Sequence, residues 1–199
     1  MAGSGIGCHG MATLFMSNTL AATQMGAEGA NWIGMSRYTE TPHLFQNLGD
    51  GTYSHSGLLA IRATVNAEVN ITYKILFNDA VAMTGGQQVE GQLTVDQVAR
   101  QIAAEGVEHI AIITDEPNKY HRGYRFPDGA GVHDRAELDL IQRQMRDVSG
   151  VTAIIYDQTC AAEKRRRRKR GAFPNPSKRA FINESVCEGC GDCSVITLR

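Results

Sequence analysis

The stretch that decides the fold is HLFQNLGDGTYSHSGLLAIRATVNAEVNITYKILFN, residues 43–78. Its first residues, 43–48, form an apolar run of the length of a buried strand, which ends at Gly49-Asp50-Gly51. Residues 56–69 carry small and apolar side chains at helical spacing. Residues 70–78 alternate β-branched, aromatic and apolar side chains, as strands do. Strand, helix and strand in this order predict a βαβ unit with two parallel strands.

The alternation of strands and helices continues outward from this unit. Such a pattern favours an α/β fold with a doubly wound, mostly parallel sheet, here followed by a short cysteine-rich C-terminal segment. In sheets of this kind, ligands bind outside the carboxyl ends of the strands. The other predicted elements are helices over 11–25, 95–105 (capped by Thr94 and ended by Gly106) and 134–148, and strands at 109–114 and 151–157.

Asp50 and Asn78 stand at the carboxyl ends of the two strands of the βαβ unit. Twenty-six residues separate Gly51 from Asn78, and a right-handed crossover of this length brings the two strand ends side by side. Carboxylate and amide oxygens suit Mg²⁺, whose coordination substrate phosphates usually complete. The glycines beside Asp50 let backbone N–H groups approach a diphosphate. Because Asp-Gly is also a common turn without any ligand, the pairing with Asn78 carries this prediction.

The composition predicts one substantial domain with an appendage. The chain has 199 residues, of which 42% are hydrophobic, so it can bury a sizeable core. We expect no membrane-spanning segment and no secretory signal. We expect a domain over residues 1–160, an exposed basic linker over 161–180, and a segment of different character over 181–199.

The basic residues are concentrated in one run. Residues 164–170, KRRRRKR, hold seven of the 20 basic residues, so the rest of the chain has 13 basic against 21 acidic side chains. The run resembles a nuclear-localisation or nucleic-acid-binding patch, and a non-catalytic nucleic-acid-binding module is therefore one alternative function. Because the run lacks interleaved aromatic residues, we favour a solvated linker, or a docking surface for the acidic body of the chain or for an acidic ferredoxin, and no nucleic acid.

The cysteines point to a metal or iron–sulfur role. Five cysteines, three of them close to the end of the chain, do not resemble a secreted disulfide framework and suit a reducing compartment, the cytoplasm. Cys187, Cys190 and Cys193 follow the C-x₂-C-x₂-C spacing of ferredoxin-like clusters. The fourth cysteine of the bacterial pattern would stand at Thr197, so the motif is incomplete. A zinc knuckle, or a segment that binds nothing in isolation, are the alternatives.

Several motifs together resemble one family. Gly49-Asp50-Gly51 followed at this distance by Asn78 looks like the thiamine-diphosphate-binding motif of the thiamine enzymes. AMTGGQ, residues 82–87, is similar to the 2-oxoacid:ferredoxin oxidoreductases. MGAEGANWIG, residues 25–34, looks like the fused indolepyruvate ferredoxin oxidoreductases of that family. The stretches TCAAEKRRRRKRG and PNPSKRAFINESVCEGCGDC strengthen the match, so the resemblance covers essentially the whole chain.

The resemblance implies a site that can be named residue by residue. Asp50 and Asn78 would bind Mg²⁺ through their side chains, and Ala80 would supply a main-chain carbonyl as the third protein ligand. Cys8 and His9 would lie in the cofactor pocket, and their alternative is a buried thiol and a loop histidine without a ligand. The implied cofactor-binding residues are Gly49, Asp50, Gly51, Thr52, Asn78, Ala80, Cys8 and His9.

The resemblance also implies a reaction. It is the thiamine-diphosphate-dependent oxidative decarboxylation of an aryl 2-oxoacid such as indolepyruvate, with ferredoxin as the electron acceptor and an acyl-CoA as the product. The cofactors would be thiamine diphosphate, Mg²⁺ and a [4Fe-4S] cluster held by the three C-terminal cysteines. A non-oxidative thiamine enzyme, a decarboxylase or a synthase, is the alternative within the same fold.

Part of the family's machinery is not found in these residues. The glutamate that acts on the aminopyrimidine ring comes, in the family, from a separate pyrimidine-binding domain. We therefore expect this chain to supply the diphosphate-binding half of a site and to be inactive by itself. Its expected partners are the 2-oxoacid, coenzyme A, ferredoxin, the pyrimidine-binding and gamma-type domains of the same enzyme, and further copies in a homo-oligomer.

Overall fold

Seven parallel strands form one sheet in the computed structural model, which describes residues 1–78, 80–81, 84–87, 91, 93–120, 123–178 and 181–192, without the side chain of Cys8. The sheet belongs to the first of two compact units, Met1–Lys164, and the second unit is Arg165–Arg199. None of the described helices combines the length and the hydropathy needed to span a bilayer.

The strands and helices alternate along most of the chain. The strands are β1 (Ala2–Gly3), β2 (Thr19–Leu20), β3 (Leu44–Gly49), β4 (Ile71–Phe77), β5 (His109–Thr114), β6 (Gly131–Asp134) and β7 (Val151–Asp157), and the helices are α1 (Ala30–Met35), α2 (Asp50–Thr52), α3 (Leu58–Asn66), α4 (Val95–Ala104), α5 (Leu138–Arg146) and α6 (Ala161–Lys169). Short 3₁₀ turns cover Cys8–Leu14, Ser36–Tyr38, Pro117–Lys119 and Arg135–Glu137.

The strand order in the sheet is β2-β1-β3-β4-β7-β5-β6, and every neighbouring pair is parallel. The prediction of a doubly wound α/β sheet is therefore confirmed. In the register of the pair β3 and β4, Leu44 lies opposite Ile71, and Gly49 lies opposite Leu76. The carboxyl ends of β3 and β4 consequently meet at one edge of the sheet, as parallel neighbours joined by a crossover must.

The sheet is covered on both faces, and the strands show it residue by residue. In β5, Ile110 and Ile112 belong to the larger apolar cluster with Trp32, whereas Ala111 and Ile113 pack on the other face with Ile141 of α5. This two-residue alternation sends successive side chains to opposite faces. Burial on both faces explains why β5 and β7 are near-continuous apolar runs.

The local signals that predicted helix ends are present in the structure. Thr94 caps α4 in a capping box with Gln97, in which each side chain accepts from the other residue's backbone N–H. Gly106 follows the helix with φ of 100°, a left-handed conformation that glycine adopts without strain. Asp134 caps the turn that leads into α5 and accepts a hydrogen bond from Ala136 N.

Three parts of the sequence differ from expectation. The helix predicted over 11–25 is wrong: a 3₁₀ turn ends at Leu14 and the edge strand β2 follows, leaving Leu14, Phe15 and Met16 exposed. The apolar spacing there has no surface to pack against. The short strands β1, β2 and β6 were not predicted. The stretch expected as an exposed basic linker over 161–180 begins with helix α6, in which Glu163 is buried.

Candidate functional site

The strand order creates a crevice at the carboxyl edge of the sheet. β1 pairs with β2 on one side and with β3 on the other, so the connections after β1 and β3 lead away from each other. This reversal is the place where ligands bind in doubly wound sheets. The residues that follow β1, β3 and β4 line it: Ser4 to His9, Asp50 to Thr52, and Asn78.

Asp50 and Asn78, which the sequence predicted at two adjoining strand ends, are in direct contact. Asp50 is buried with 8% of its surface exposed, where β3 gives way to α2. Its Oδ2 accepts a hydrogen bond from the backbone N–H of Asn78 at 2.8 Å. Its Oδ1 accepts from Gly51 N at 2.8 Å and from Asn78 Nδ2 at 3.3 Å. These bonds hold the carboxylate across the ends of two neighbouring strands.

Asn78 leaves one strong acceptor unused. Its Nδ2 donates to Asp50 and to Leu76 O, but its Oδ1 is buried and finds no hydrogen-bond donor among the described residues. A buried carbonyl oxygen without a partner carries a desolvation cost. A turn of the amide about its last side-chain bond would direct Oδ1 beside the Asp50 carboxylate. Two oxygens so placed fit a hard divalent cation such as Mg²⁺.

The two glycines around Asp50 border open space. Among the described residues, a Cβ added to Gly51 would meet no atom within 4 Å, and one added to Gly49 would approach only Ile6 O, at 4.0 Å. The backbone at this strand–helix junction is therefore accessible from the crevice, which suits close approach of an anion to its N–H groups. Thr52, predicted to join them, is buried with 4% exposed.

The segment after β1 brings His9 against the same crevice. His9 Nδ1 accepts a hydrogen bond from Gly5 N at 3.0 Å, so the neutral ring carries its proton on Nε2. That Nε2 is buried and has no partner among the described residues. Burial, with a smaller contribution from the charge of Lys74, lowers the pKa of His9 below 6.5. His9 thus presents a neutral imidazole with an unused N–H donor.

Glu28 is a site residue that the sequence did not reveal. It is 1% exposed, and its Oε2 accepts from Gly26 N at 2.7 Å, whereas its Oε1 has no partner among the described residues. A Cβ placed on Gly5 would lie 3.3 Å from Glu28 Cγ and 2.9 Å from His9 Cε1. Glycine at position 5 therefore allows the glutamate and the histidine to close around it. An acidic residue inside the glycine-rich MGAEGA was the available signal.

A second group of polar residues lies where β7 ends. Lys119 Nζ is 2.6 Å from Asp157 Oδ2, and the Tyr120 hydroxyl donates to the same carboxylate. Burial, followed by this contact with Asp157, raises the pKa of Tyr120 above its ordinary value. These residues border a cavity of about 350 Å³ together with Phe77, Leu93 and Tyr124. Phe77 precedes Asn78, so the cavity adjoins the Asp50–Asn78 contact.

The structure describes only some of the other predicted site residues. Ala80 is buried with 2% exposed, and the residue before it lies outside the described chain. Cys187 and Cys190 are exposed and free, while Cys193 lies outside the described residues, as does the Cys8 side chain. Among the described residues, no three His, Cys, Asp or Glu side chains converge as a metal site. The cysteine cluster stays a prediction.

A comparison with family models gives one match that covers the sheet. The model described as "Thiamine pyrophosphate enzyme, C-terminal TPP binding domain" matches residues 5–155. The matched range contains the crevice, with Asp50, Asn78 and His9. It stops before α6 and the C-terminal cysteines.

Three curated relatives share the name "Indolepyruvate oxidoreductase subunit IorA". The protein of Thermococcus kodakarensis is 24% identical over 214 residues, which cover 96% of this chain and 30% of the relative. Those of Pyrococcus horikoshii and Pyrococcus abyssi are each 24% identical over 156 residues, covering 73% of this chain and 21% of the relative. The chain therefore spans less than a third of the length of the curated relatives it matches.

A solved structure shares the fold. It is a 2-oxoglutarate:ferredoxin oxidoreductase from Magnetococcus marinus, described with 2-oxoglutarate, coenzyme A and succinyl-CoA bound. The TM-score is 0.60 at 15% sequence identity, and the match covers 92% of this chain and 63% of that chain. At this identity the likeness concerns the fold of the backbone.

Proposed function

Since the chain belongs to the family of thiamine pyrophosphate enzymes, as their C-terminal TPP binding domain, we propose that its crevice holds thiamine pyrophosphate (thiamine diphosphate) through Mg²⁺. Asp50 and Asn78 side-chain oxygens and the Ala80 carbonyl would be the metal ligands. The observation that carries the proposal is the buried Asn78 Oδ1, which finds no donor among the described residues and belongs to the side chain that contacts Asp50. These residues fit a cation, because carboxylate and amide oxygens at adjoining strand ends are hard donors of the kind that Mg²⁺ prefers.

The protein's contribution is to hold and orient the cofactor. Gly49, Gly51 and Thr52 would border the diphosphate, whose approach the missing Cβ atoms permit. His9 would donate its Nε2–H into the pocket, and its lowered pKa keeps the ring neutral at pH 7. Cys8 would lie in the same pocket. Thiamine pyrophosphate, when bound, supplies the carbanion-stabilising group on which 2-oxoacid decarboxylation depends.

We infer that the reaction served is the oxidation of a 2-oxoacid, with coenzyme A and ferredoxin as cosubstrates, in the cytoplasm. The names of the curated relatives and of the solved structure support this reaction class. An aryl 2-oxoacid, indolepyruvate, is the proposed substrate. The curated relatives support it by name, and the aromatic side chains around the cavity beside Asn78 suit a ring.

We propose that other domains complete the enzyme. The chain spans less than a third of its curated relatives, and the pyrimidine-binding and gamma-type domains would provide the opposite wall of the crevice within a homo-oligomer. Cys187, Cys190 and Cys193 would begin a [4Fe-4S] ferredoxin-like segment after residue 180. Robust 2-oxoacid oxidation by the isolated 199 residues would contradict this division of labour.

Calorimetric titration of the chain with thiamine pyrophosphate tests the site. We expect binding that requires Mg²⁺, and we expect Asp50→Ala to weaken it at least about 100-fold, because both a ligand and the partner of Asn78 are removed. Asp139→Ala is the matched control. Asp139 is exposed on α5 and paired with Arg143, and its loss should leave affinity within about twofold.

Two outcomes would overturn the assignment. Equal affinity in the Asp50→Ala variant would remove Asp50 from the metal site. Equal affinity of the wild type with and without Mg²⁺ would remove the metal. Thermal melts of both variants accompany the titration, so that unfolding is not mistaken for loss of a ligand.

A further inference from the structure

Helix α6 presents three cations to one cavity. Arg165, Arg168 and Lys169 occupy positions i, i+3 and i+4 of the helix, which lie on the same face. They line an open cavity of about 380 Å³, which Asn175 and Pro176 border on its other side. A volume of this size lies within the range of small-molecule sites, about 300–1,000 Å³. We refer to it as the basic cavity.

The walls of the basic cavity are held by backbone structure. α6 ends in a Schellman motif: Ala172 N donates to Arg167 O at 2.8 Å, Gly171 N donates to Arg168 O at 3.0 Å, and Gly171 has φ of 71°. This reversal returns the chain along the helix, so that Asn175 and Pro176 face its basic side. The cavity is thus a product of the helix end and not of a loose surface loop.

Arg168 is oriented within this arrangement. Its Nε donates to Pro174 O at 3.0 Å, and its guanidinium lies over the Phe173 ring at 5.3 Å from the centroid. A guanidinium held in this way through Nε keeps its two terminal amino groups for a further acceptor. Since fewer rotamers remain to be ordered, binding an anion there costs less conformational entropy than at a mobile arginine.

The charges of the basic cavity are not neutralised within the described chain. Elsewhere, Arg62 pairs with Glu105, Lys119 with Asp157 and Lys164 with Asp115. No described carboxylate lies within ion-pair distance of Arg165, Arg168 or Lys169. Like charges at i, i+3 and i+4 repel each other on a helix, so an anion in the cavity would relieve repulsion as well as gain hydrogen bonds.

We propose that the basic cavity binds the phosphate groups of a nucleotide-bearing cosubstrate, the adenosine 3′,5′-bisphosphate portion of coenzyme A. Arginine side chains contact phosphate oxygens in paired hydrogen bonds, and Lys169 adds a point charge. A concave site walled by Asn175 and Pro176 suits a compact phosphate ligand better than a polymer backbone. The choice of coenzyme A rests on the proposed function, in which it is a cosubstrate.

Calorimetry of the 199-residue chain with adenosine 3′,5′-bisphosphate tests the proposal. The variant Arg165→Gln/Arg168→Gln/Lys169→Gln should bind this probe at least about 30-fold more weakly than the wild type, and wild-type affinity should fall as salt rises. The control Arg135→Gln/Arg143→Gln/Arg146→Gln removes the same charge from the first unit and should remain within about twofold of the wild type. Helix content by circular dichroism is checked for each protein.

The cofactor site is tested separately in the same samples. The Asp50→Ala variant should lose thiamine pyrophosphate but keep the bisphosphate, and the basic-cavity variant should do the reverse. If only the Asp50→Ala result fails, the proposed function is contradicted. If only the result for the basic-cavity variant fails, the proposal for the basic cavity is contradicted. Unchanged bisphosphate affinity in the basic-cavity variant would overturn the proposal.

Two further probes address other anionic partners. Single-stranded DNA that binds Arg165, Arg168 and Lys169 more tightly than the bisphosphate, and is not displaced by it, would overturn the choice of ligand. So would an acidic ferredoxin that binds at these residues when the bisphosphate does not. Displacement of either probe by the bisphosphate at a concentration near its own dissociation constant would support the proposal.

Discussion

The two ends of the central strands differ in whether their buried polar groups have hydrogen-bond partners. At the amino ends of β3, β4 and β7, the Thr72 hydroxyl bonds both His43 Nε2, at 2.8 Å, and the Thr152 hydroxyl, at 2.7 Å. Trp32 Nε1 donates to Asn70 O at 3.0 Å, and the Asn70 side chain bridges Pro42 O and Gly150 N. With the exception of His43 Nδ1, these groups satisfy one another.

At the carboxyl ends, three buried polar atoms have no partner among the described residues: Asn78 Oδ1, His9 Nε2 and Glu28 Oε1. The same sheet thus has one end closed by its own hydrogen bonds and one open end, where these three atoms lack a described partner. Unpaired buried groups cost free energy unless a ligand satisfies them. We therefore expect substitutions at the amino end to change the free energy of unfolding, and substitutions at the carboxyl end to change ligand affinity.

The largest effect is expected from Trp32→Ala at the closed end. Trp32 is 1% exposed and belongs to the main apolar cluster, so its truncation leaves a cavity and an unpaired Asn70 carbonyl. We expect a loss of about 3–5 kcal/mol in the free energy of unfolding, measured by urea denaturation. Trp32→Phe keeps most of the packing and should lose about 1–2 kcal/mol.

The Trp32 variants also test whether the two ends are independent. At temperatures where the Trp32→Phe protein is fully folded, its affinity for thiamine pyrophosphate with Mg²⁺ should equal that of the wild type. A weakened affinity in the folded variant would break the comparison, because it would connect the closed end to the site.

A pH effect of intermediate size should come from His43. Burial, followed by the charges of the N-terminus and Arg146, lowers the pKa of His43 from 6.5 to about 4. Below pH 6.5, His43 binds a proton in the unfolded chain but not in the folded chain. The free energy of unfolding therefore falls as the pH drops from about 6.5 to 4. Between pH 7 and pH 5 this single group should cost about 2 kcal/mol.

Urea denaturation at several pH values measures this effect, and the His43→Gln variant isolates it. The variant lacks the imidazole, so its stability should vary less between pH 7 and pH 5 by about the same 2 kcal/mol. The pKa of His9 is lowered for the same reason, and its smaller share should persist in the variant. Identical pH profiles of the wild type and His43→Gln would show that the closed end does not exclude the proton.

The part of the site that was predicted from sequence depends on local signals. The apolar runs of β3 and β4 and the turn at Gly49-Asp50-Gly51 are visible within a few residues, and the crossover rule then forces Asp50 and Asn78 together. The side-by-side position of the two strand ends was therefore predictable, and in the structure Asn78 N donates to Asp50 Oδ2. Thr94 and Gly106 were predictable for the same reason, since helix caps are local.

The remainder depends on contacts between distant residues. β1 pairs Ala2 with Phe45 and β2 pairs Thr19 with Ala2, and strands of two residues carry no periodicity to detect. Glu28 is buried because Gly5 is close to its side chain and the Tyr73 hydroxyl bonds its backbone carbonyl, which only the folded chain reveals. Helix α6 was obscured by its charge, although Arg and Lys favour helices and Gly171 marks the end.

The smallest change in the free energy of unfolding is expected from the two asparagines that flank β4. They also allow the most direct comparison of the two ends. Asn70→Ala at the closed end removes bonds to Pro42 O and Gly150 N and should cost about 1 kcal/mol of stability without altering cofactor affinity. Asn78→Ala at the open end removes an oxygen that no described donor satisfies, together with two long hydrogen bonds from Nδ2 to Asp50 and Leu76 O. It should change the free energy of unfolding by under about 1 kcal/mol, yet weaken Mg²⁺-dependent binding of thiamine pyrophosphate at least about tenfold.

Urea denaturation and calorimetry on both variants measure the two quantities. Equal losses of affinity, or a larger loss of stability at Asn78 than at Asn70, would show that the ends are not divided between folding and binding. A difference in the expected direction follows from the side-chain oxygens, because Asn70 Oδ1 accepts from Gly150 N whereas Asn78 Oδ1 finds no described donor.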